Sequence, residues 1–292
     1  MMKNMKLYFA AVLALISTMA FSQINVPLPS PAGSVSSQVG LTDVTIDYFR
    51  PKVKGRKIFG PGSDYLQPYG NIWRTGANSG SKLTLSTEAT IAGQKVDAGE
   101  YLIFTIPGKD EWSFMLYSDL SIGGNVGAYD KEKEVLRTTV KPMNLDNPVE
   151  TLTFNISDIS ADNKQAKIQM SWSDVSIKVP MEVNFHDAVM KEISAKTQVN
   201  PGNYTTAANY YLQAGEDLGQ ALKWMNKYLS MEGNNEQFWH IHTKAKILAK
   251  MGKKKEAMEA AKESMEKAEN YPNGDFGYIK RNKDLIAEIK EM

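Results

Sequence analysis

The chain contains no cysteine. That excludes disulfides, thiolate zinc sites and a cysteine nucleophile, and also the acylated cysteine of a bacterial lipoprotein. Histidine is nearly absent: His186, His240 and His242 are the only three. His240 and His242 lie two positions apart, so on a helix they point in different directions and cannot share a metal there. No His-Glu-x-x-His pattern, Ser-His-Asp order or zinc-ligand spacing occurs. An excess of one charge is missing too. The 34 basic residues balance 33 acidic ones, so no overall field steers the chain to nucleic acid. After Met19 no apolar run approaches the ~20 residues of a membrane-spanning helix. These absences predict no cofactor, no metal site, no catalytic residue that can be named, and a protein that is not integral to a membrane.

What is present begins with a secretory signal. Lys3 and Lys6 precede an apolar core from Leu7 to Met19, and Ala20-Phe21-Ser22 offers small residues around a cut before Gln23. Residues 1–22 are therefore read as a signal peptide. The mature chain is expected to be exported, to the periplasm first of all, with outer-membrane association or secretion as alternatives. At 292 residues it has room for two domains.

Residues 23–183 read as strands. Val44, Ile46 and Tyr48 alternate with Thr45, Asp47 and Phe49, and Leu83 and Leu85 repeat the pattern. Tyr101 to Ile106 is nearly continuous in apolar residues. Pro107-Gly108-Lys109-Asp110 is a turn, and Trp112, Phe114 and Leu116 give the paired strand. Ile168, Met170 and Trp172 share one parity, whereas Val175, Ile177, Val179 and Met181 share the other. A bulge or turn at Ser173-Asp174 is expected between them. The segment from Gly123 to Gly127 reads as a flexible loop. Many short strands with frequent turns predict an antiparallel β-sandwich of immunoglobulin or jelly-roll type.

Residues 184–292 have helical period. Phe185, Val189 and Ile193 are spaced by four, and Asn200-Pro201-Gly202 breaks that segment. Ala208, Tyr211 and Gly215 then precede Leu218, Leu222 and Met225, and the order recurs as Ala245, Leu248 and Gly252 followed by Ala257 and Ala261. Small residue, large apolar residue, glycine, then alanine in a second helix resembles the tetratricopeptide repeat. Ile279, Ile286 and Ile289 mark a final capping helix. Such helices imply a protein partner, and large aromatics among Tyr210, Tyr211, Trp224, Phe238 and Trp239 are candidate anchors.

The densest run of unusual residues lies between Arg50 and Asn78. Arg50, Arg56 and Arg74 form one candidate set, because guanidinium groups take carboxylate or phosphate bidentately. A structural role competes with this, with Arg74 paired to Asp47 or Asp64 and tying the loop down. Tyr65, Tyr69 and Trp73 form a second set, an aromatic platform for a sugar or peptide, although Trp73 reads better as core. Asn78 either meets a ligand or satisfies loop backbone.

From Ser30 to Val183 the chain resembles an uncharacterised family of exported bacterial domains, domain of unknown function number 2911. The resemblance rests on SPAGSVSSQVG, DYFRPKVKGRKIFG, YGNIWRTGANSGSKL and KVDAGEYLIFTIPGKDEW. It implies export and a β-rich domain, often followed by tetratricopeptide-like helices, and no established chemistry. The reading that follows is a non-enzymatic binding or adaptor protein of the cell envelope. An anionic small molecule or glycan would sit at the β-domain and a protein partner at the helices. The alternative is a periplasmic hydrolase of carbohydrate or peptidoglycan working through two carboxylates.

Overall fold

The computed structural model describes residues 26–197 and 200–292; the expected signal peptide lies outside them. Two compact units succeed each other, one ending at Asn184 and the other covering Phe185–Met292. Among the described residues no helix is long and apolar enough to cross a membrane.

The first unit contains twelve strands among the described residues: β1 Ala32–Val39, β2 Thr42–Phe49, β3 Phe59–Gly60, β4 Gln67–Pro68, β5 Ser81–Leu85, β6 Ala89–Ile91, β7 Gln94–Val96, β8 Gly99–Ile106, β9 Trp112–Tyr117, β10 Glu134–Val140, β11 Met143–Ser157 and β12 Gln165–Glu182. Six of them form one antiparallel sheet in the order β1-β2-β5-β8-β9-β10. A second antiparallel sheet runs β11-β12-β6-β7, and β3 and β4 make a short parallel pair.

The sheets face each other across an aromatic core. Tyr48 of β2 meets Phe154 of β11 edge-on at 5.1 Å. Phe59 sits between Trp112 of β9 at 4.7 Å and Trp172 of β12 at 5.8 Å. Alternation on β2 and β5 sends Val44, Ile46, Leu83 and Leu85 into this core. The central strands are buried on both faces. Ile103, Phe114 and Leu116 alternate with Leu102, Phe104, Met115 and Tyr117, which pack outward under Ile72, Ile122, Val126 and Tyr129. This explains why Tyr101 to Ile106 reads as an unbroken apolar run.

β12 is where the parity of the sequence changes. Its 18 residues, if extended, would span ~60 Å. Instead the Val183 amide donates to the Lys164 carbonyl at 2.8 Å, and the Ser171 and Ser176 hydroxyls lie 2.9 Å apart. The segment therefore doubles back at Ser173-Asp174, with Ser173 in the left-handed region at φ 55. Ala166, Ile168, Met170 and Trp172 on one arm then face the same way as Val175, Ile177, Val179 and Met181 on the other. The change of parity is a turn.

The second unit contains six α-helices among the described residues: α1 His186–Thr197, α2 Tyr204–Ala214, α3 Leu218–Leu229, α4 Phe238–Lys250, α5 Lys254–Glu269 and α6 Tyr278–Glu291. Gly215, at φ 76, caps α2 through its N–H to Tyr211, and Asp217 caps α3 by accepting from the Gln220 amide at 2.9 Å. Ala208, Leu212, Ala221, Met225 and Ile247 join α2, α3 and α4. Ile241, Ala245, Leu248, Ala257, Ala261, Leu285 and Ile289 join α4, α5 and α6. The alanines at the repeating positions have no exposed surface, because small side chains let the helices approach closely. A polar staple holds α6. Asn282 uses both amide hydrogens, on Ser264 Oγ and the Tyr278 carbonyl, so its Oδ1 accepts from Nδ1–H of His242 at 2.7 Å.

Candidate functional site

The segment from Arg50 to Asn78 is folded onto the first sheet. Trp73 exchanges backbone hydrogen bonds with Thr105 of β8, at 2.7 and 2.9 Å. Its indole is buried, stacks on Trp172 at 5.7 Å, and donates to the Gly76 carbonyl at 3.2 Å. Trp73 is thus core. Tyr65 lies half-buried with its ring against Gly60, where a Cβ would fall 2.2 Å from the ring. Tyr69 is half-buried too. Burial raises its hydroxyl pKa, helped by the charges of Asp174 and Asp110 and by Tyr65. The three aromatics do not form one open platform.

The three arginines do not share a partner either. Arg50 crosses Gly33 and donates to the Leu152 carbonyl at 3.3 Å and Thr153 Oγ1 at 3.1 Å, binding β2 to β11. Arg56 is exposed but folds back on its own loop, donating to the carbonyls of Val53 at 3.1 Å and Lys52 at 2.5 Å. Asp64 is taken by Lys57 at 2.7 Å, which lowers its pKa, and the Arg74 side chain bonds the Gly124 carbonyl and not Asp47 or Asp64.

Arg74 stands apart. Its NH1 makes one long hydrogen bond, 3.4 Å, to the Gly124 carbonyl. Its Nε is buried and has no acceptor. The backbone around it is unusual. Thr75, Gly76, Asn78 and Gly80 all have positive φ, at 47, 140, 54 and 83. Thr75 is β-branched, and such a residue rarely adopts this region. Its side chain is fixed to Thr105 Oγ1 at 3.0 Å, and its carbonyl accepts from Ser81 Oγ. Gly124 is required by close approach, since a Cβ there would fall 2.2 Å from Arg74 Cδ and 2.8 Å from the Asn78 carbonyl. Gly124 and Gly80 lie far apart in sequence, which is why a reading of the segment alone missed Gly124. The segment Gly123 to Gly127, expected as a flexible loop, instead joins two short 3-10 turns, Leu120–Ile122 and Val126–Ala128, capped by Asp119 and Asn125.

In the second unit, the aromatics singled out in sequence are buried or half-buried. Among the described residues of this unit the exposed aromatic is Phe276, 59% exposed, in a polar turn at φ 47. It stacks on Phe238 at 6.4 Å and touches Tyr271 at 6.0 Å. Tyr271 lines a groove of about 480 Å³ with Glu236, Glu263, Glu266 and Lys267. Lys267 is held by Glu236 at 2.9 Å, so Glu263 and Glu266 leave the groove negative. Among the described residues no three His, Asp or Glu side chains are grouped to hold a metal ion.

The model of one family, described as a protein of unknown function (DUF2911), matches residues 30–181. No curated protein and no solved structure matches the chain. The chain belongs to this family.

Proposed function

We propose that this member of the family is an exported, non-enzymatic binding or adaptor protein of the bacterial cell envelope. Its tetratricopeptide-like helices contact a second protein, and its β-domain holds an anionic or polar group. The observation that carries the reading is Phe276, an aromatic exposed in a strained turn beside a negative groove. Strain in a bulky residue persists where surrounding structure enforces it, and such residues gather at functional sites. An exposed aromatic beside carboxylates fits a partner segment carrying apolar and basic side chains. The signal-like N-terminus supplies the compartment.

The test is capture from detergent-solubilised envelope by the tagged full chain, beside a folded Phe276→Ser copy. A reproducible companion, lost with Phe276→Ser, is expected. Equal capture by both copies contradicts the groove reading.

A further inference from the structure

We propose that Arg74 is the seat for a carboxylate, presented by the terminus or side chain of a ligand of the β-domain. This deepens the binding reading and rests on it only in taking the β-domain to hold a ligand.

The chain has five arginines, and four are accounted for by the fold. Arg50 binds β11 and Arg56 closes its own loop. Arg137 forms a two-point pair with Glu134, at 2.8 and 2.6 Å. Arg281 is exposed and lies over the Tyr278 ring at 4.7 Å. Only Arg74 combines partial burial with an unmet need: five N–H donors, one long bond and a buried Nε without an acceptor. A buried donor left unpaired is destabilising, so folding alone gives no reason to keep an arginine here.

The surroundings hold the guanidinium in place without neutralising it. Backbone from Asn78, Gly80 and Gly124 packs around its stem, and among the described residues it forms no ion pair with a carboxylate. A side chain fixed this way is pre-organised, so a ligand gains the interaction without ordering it first. The NH1 and NH2 end of the planar fork matches the two oxygens of a carboxylate, while the buried Nε stays beneath it, out of a ligand's reach. One guanidinium neutralises one charge, which favours a carboxylate over a dianionic phosphate.

The experiment follows the five arginine Nε–Hε signals by ¹⁵N NMR in the full mature chain. N-acetylglycine, phosphate and chloride are titrated at matched ionic strength. The Arg74 signal, assigned by its loss in Arg74→Lys, is expected to shift saturably with N-acetylglycine and not with chloride. Backbone amides of Gly80 and Gly124 should report binding about tenfold weaker in Arg74→Lys, the loss of one charge-assisted hydrogen bond. An unmoved Arg74 signal, or an equal shift with chloride, overturns the seat. Phosphate binding as tightly as N-acetylglycine overturns the carboxylate assignment. A companion variant, Arg74→Met, should keep or raise the thermal midpoint, and a clear drop would show that Arg74 serves the fold. No envelope partner enters the titration, so its failure is distinct from failure of the adaptor reading.

Discussion

At the scale of single residues, the Arg50–Asn78 segment divides into side chains that hold the fold, Trp73 and Arg50 among them, and side chains such as Arg56 and Arg74 that the fold does not need. Trp73 is buried against Trp172 and Phe59. Trp73→Ala should lower unfolding free energy by ~3–5 kcal/mol. Arg56→Ala, at an exposed loop, should stay within ~0.5 kcal/mol. Urea denaturation of both variants decides it. Residue type alone could not separate Arg50, Arg56 and Arg74, because what distinguishes them is the acceptor each one finds. For Arg50 that acceptor lies on β11, and for Arg74 the closest packing comes from Gly124. His242 adds a pH dependence. Burial lowers its pKa against the opposing pull of Asn282, and Lys246 and Arg281 lower it further; burial also lowers His240. Both histidines titrate near 6.5 when unfolded, so below that pH the unfolded chain takes up protons that the folded chain does not. The associated stability is present above pH 6.5 and is lost as pH falls through the folded values, by at most ~1.4 kcal/mol per pH unit for each histidine. Helical signal followed in urea from pH 7.5 to 5 should show this loss, and His242→Gln should reduce it.

At the scale of elements, the clearest case is β12. The parity change between Trp172 and Val175 was legible, but a bulge and a turn give the same sequence pattern. The hydrogen bond from Val183 to Lys164 and the contact of Ser171 with Ser176 settle it as a turn. With Ser173 left-handed, Ser173→Gly should be neutral or stabilising. Ser173→Val should cost about 1–2 kcal/mol, read from thermal unfolding midpoints. The hairpin of β8 and β9 was plain from Pro107-Gly108 and flanking alternation. β1 could not be read as a strand from its residues, since its serines carry no apolar alternation and its strand character comes from pairing along β2. β6 and β7 escaped notice because they have three residues each, joined by Ala92-Gly93 where Asn-Gly is the usual signal. The helices were legible through their alanines and glycines, whose spacing encodes close packing directly. Phe276 was not, because an aromatic in a polar turn belongs to no periodic pattern.

At the scale of the whole molecule, the chain joins a β unit of the DUF2911 family to a helical unit with its own core. Expressed alone, residues 185–292 should be helical by circular dichroism and should unfold cooperatively, since α2 to α6 bury their apolar faces against one another. The proposed role of this helical unit is to contact a partner in the envelope. The most direct test places a photo-crosslinking amino acid at Phe276 in living cells, with Asp43 on the β unit as an exposed control. A discrete adduct is expected from position 276 and none from position 43. No adduct at 276, or the same diffuse products at both positions, would contradict it.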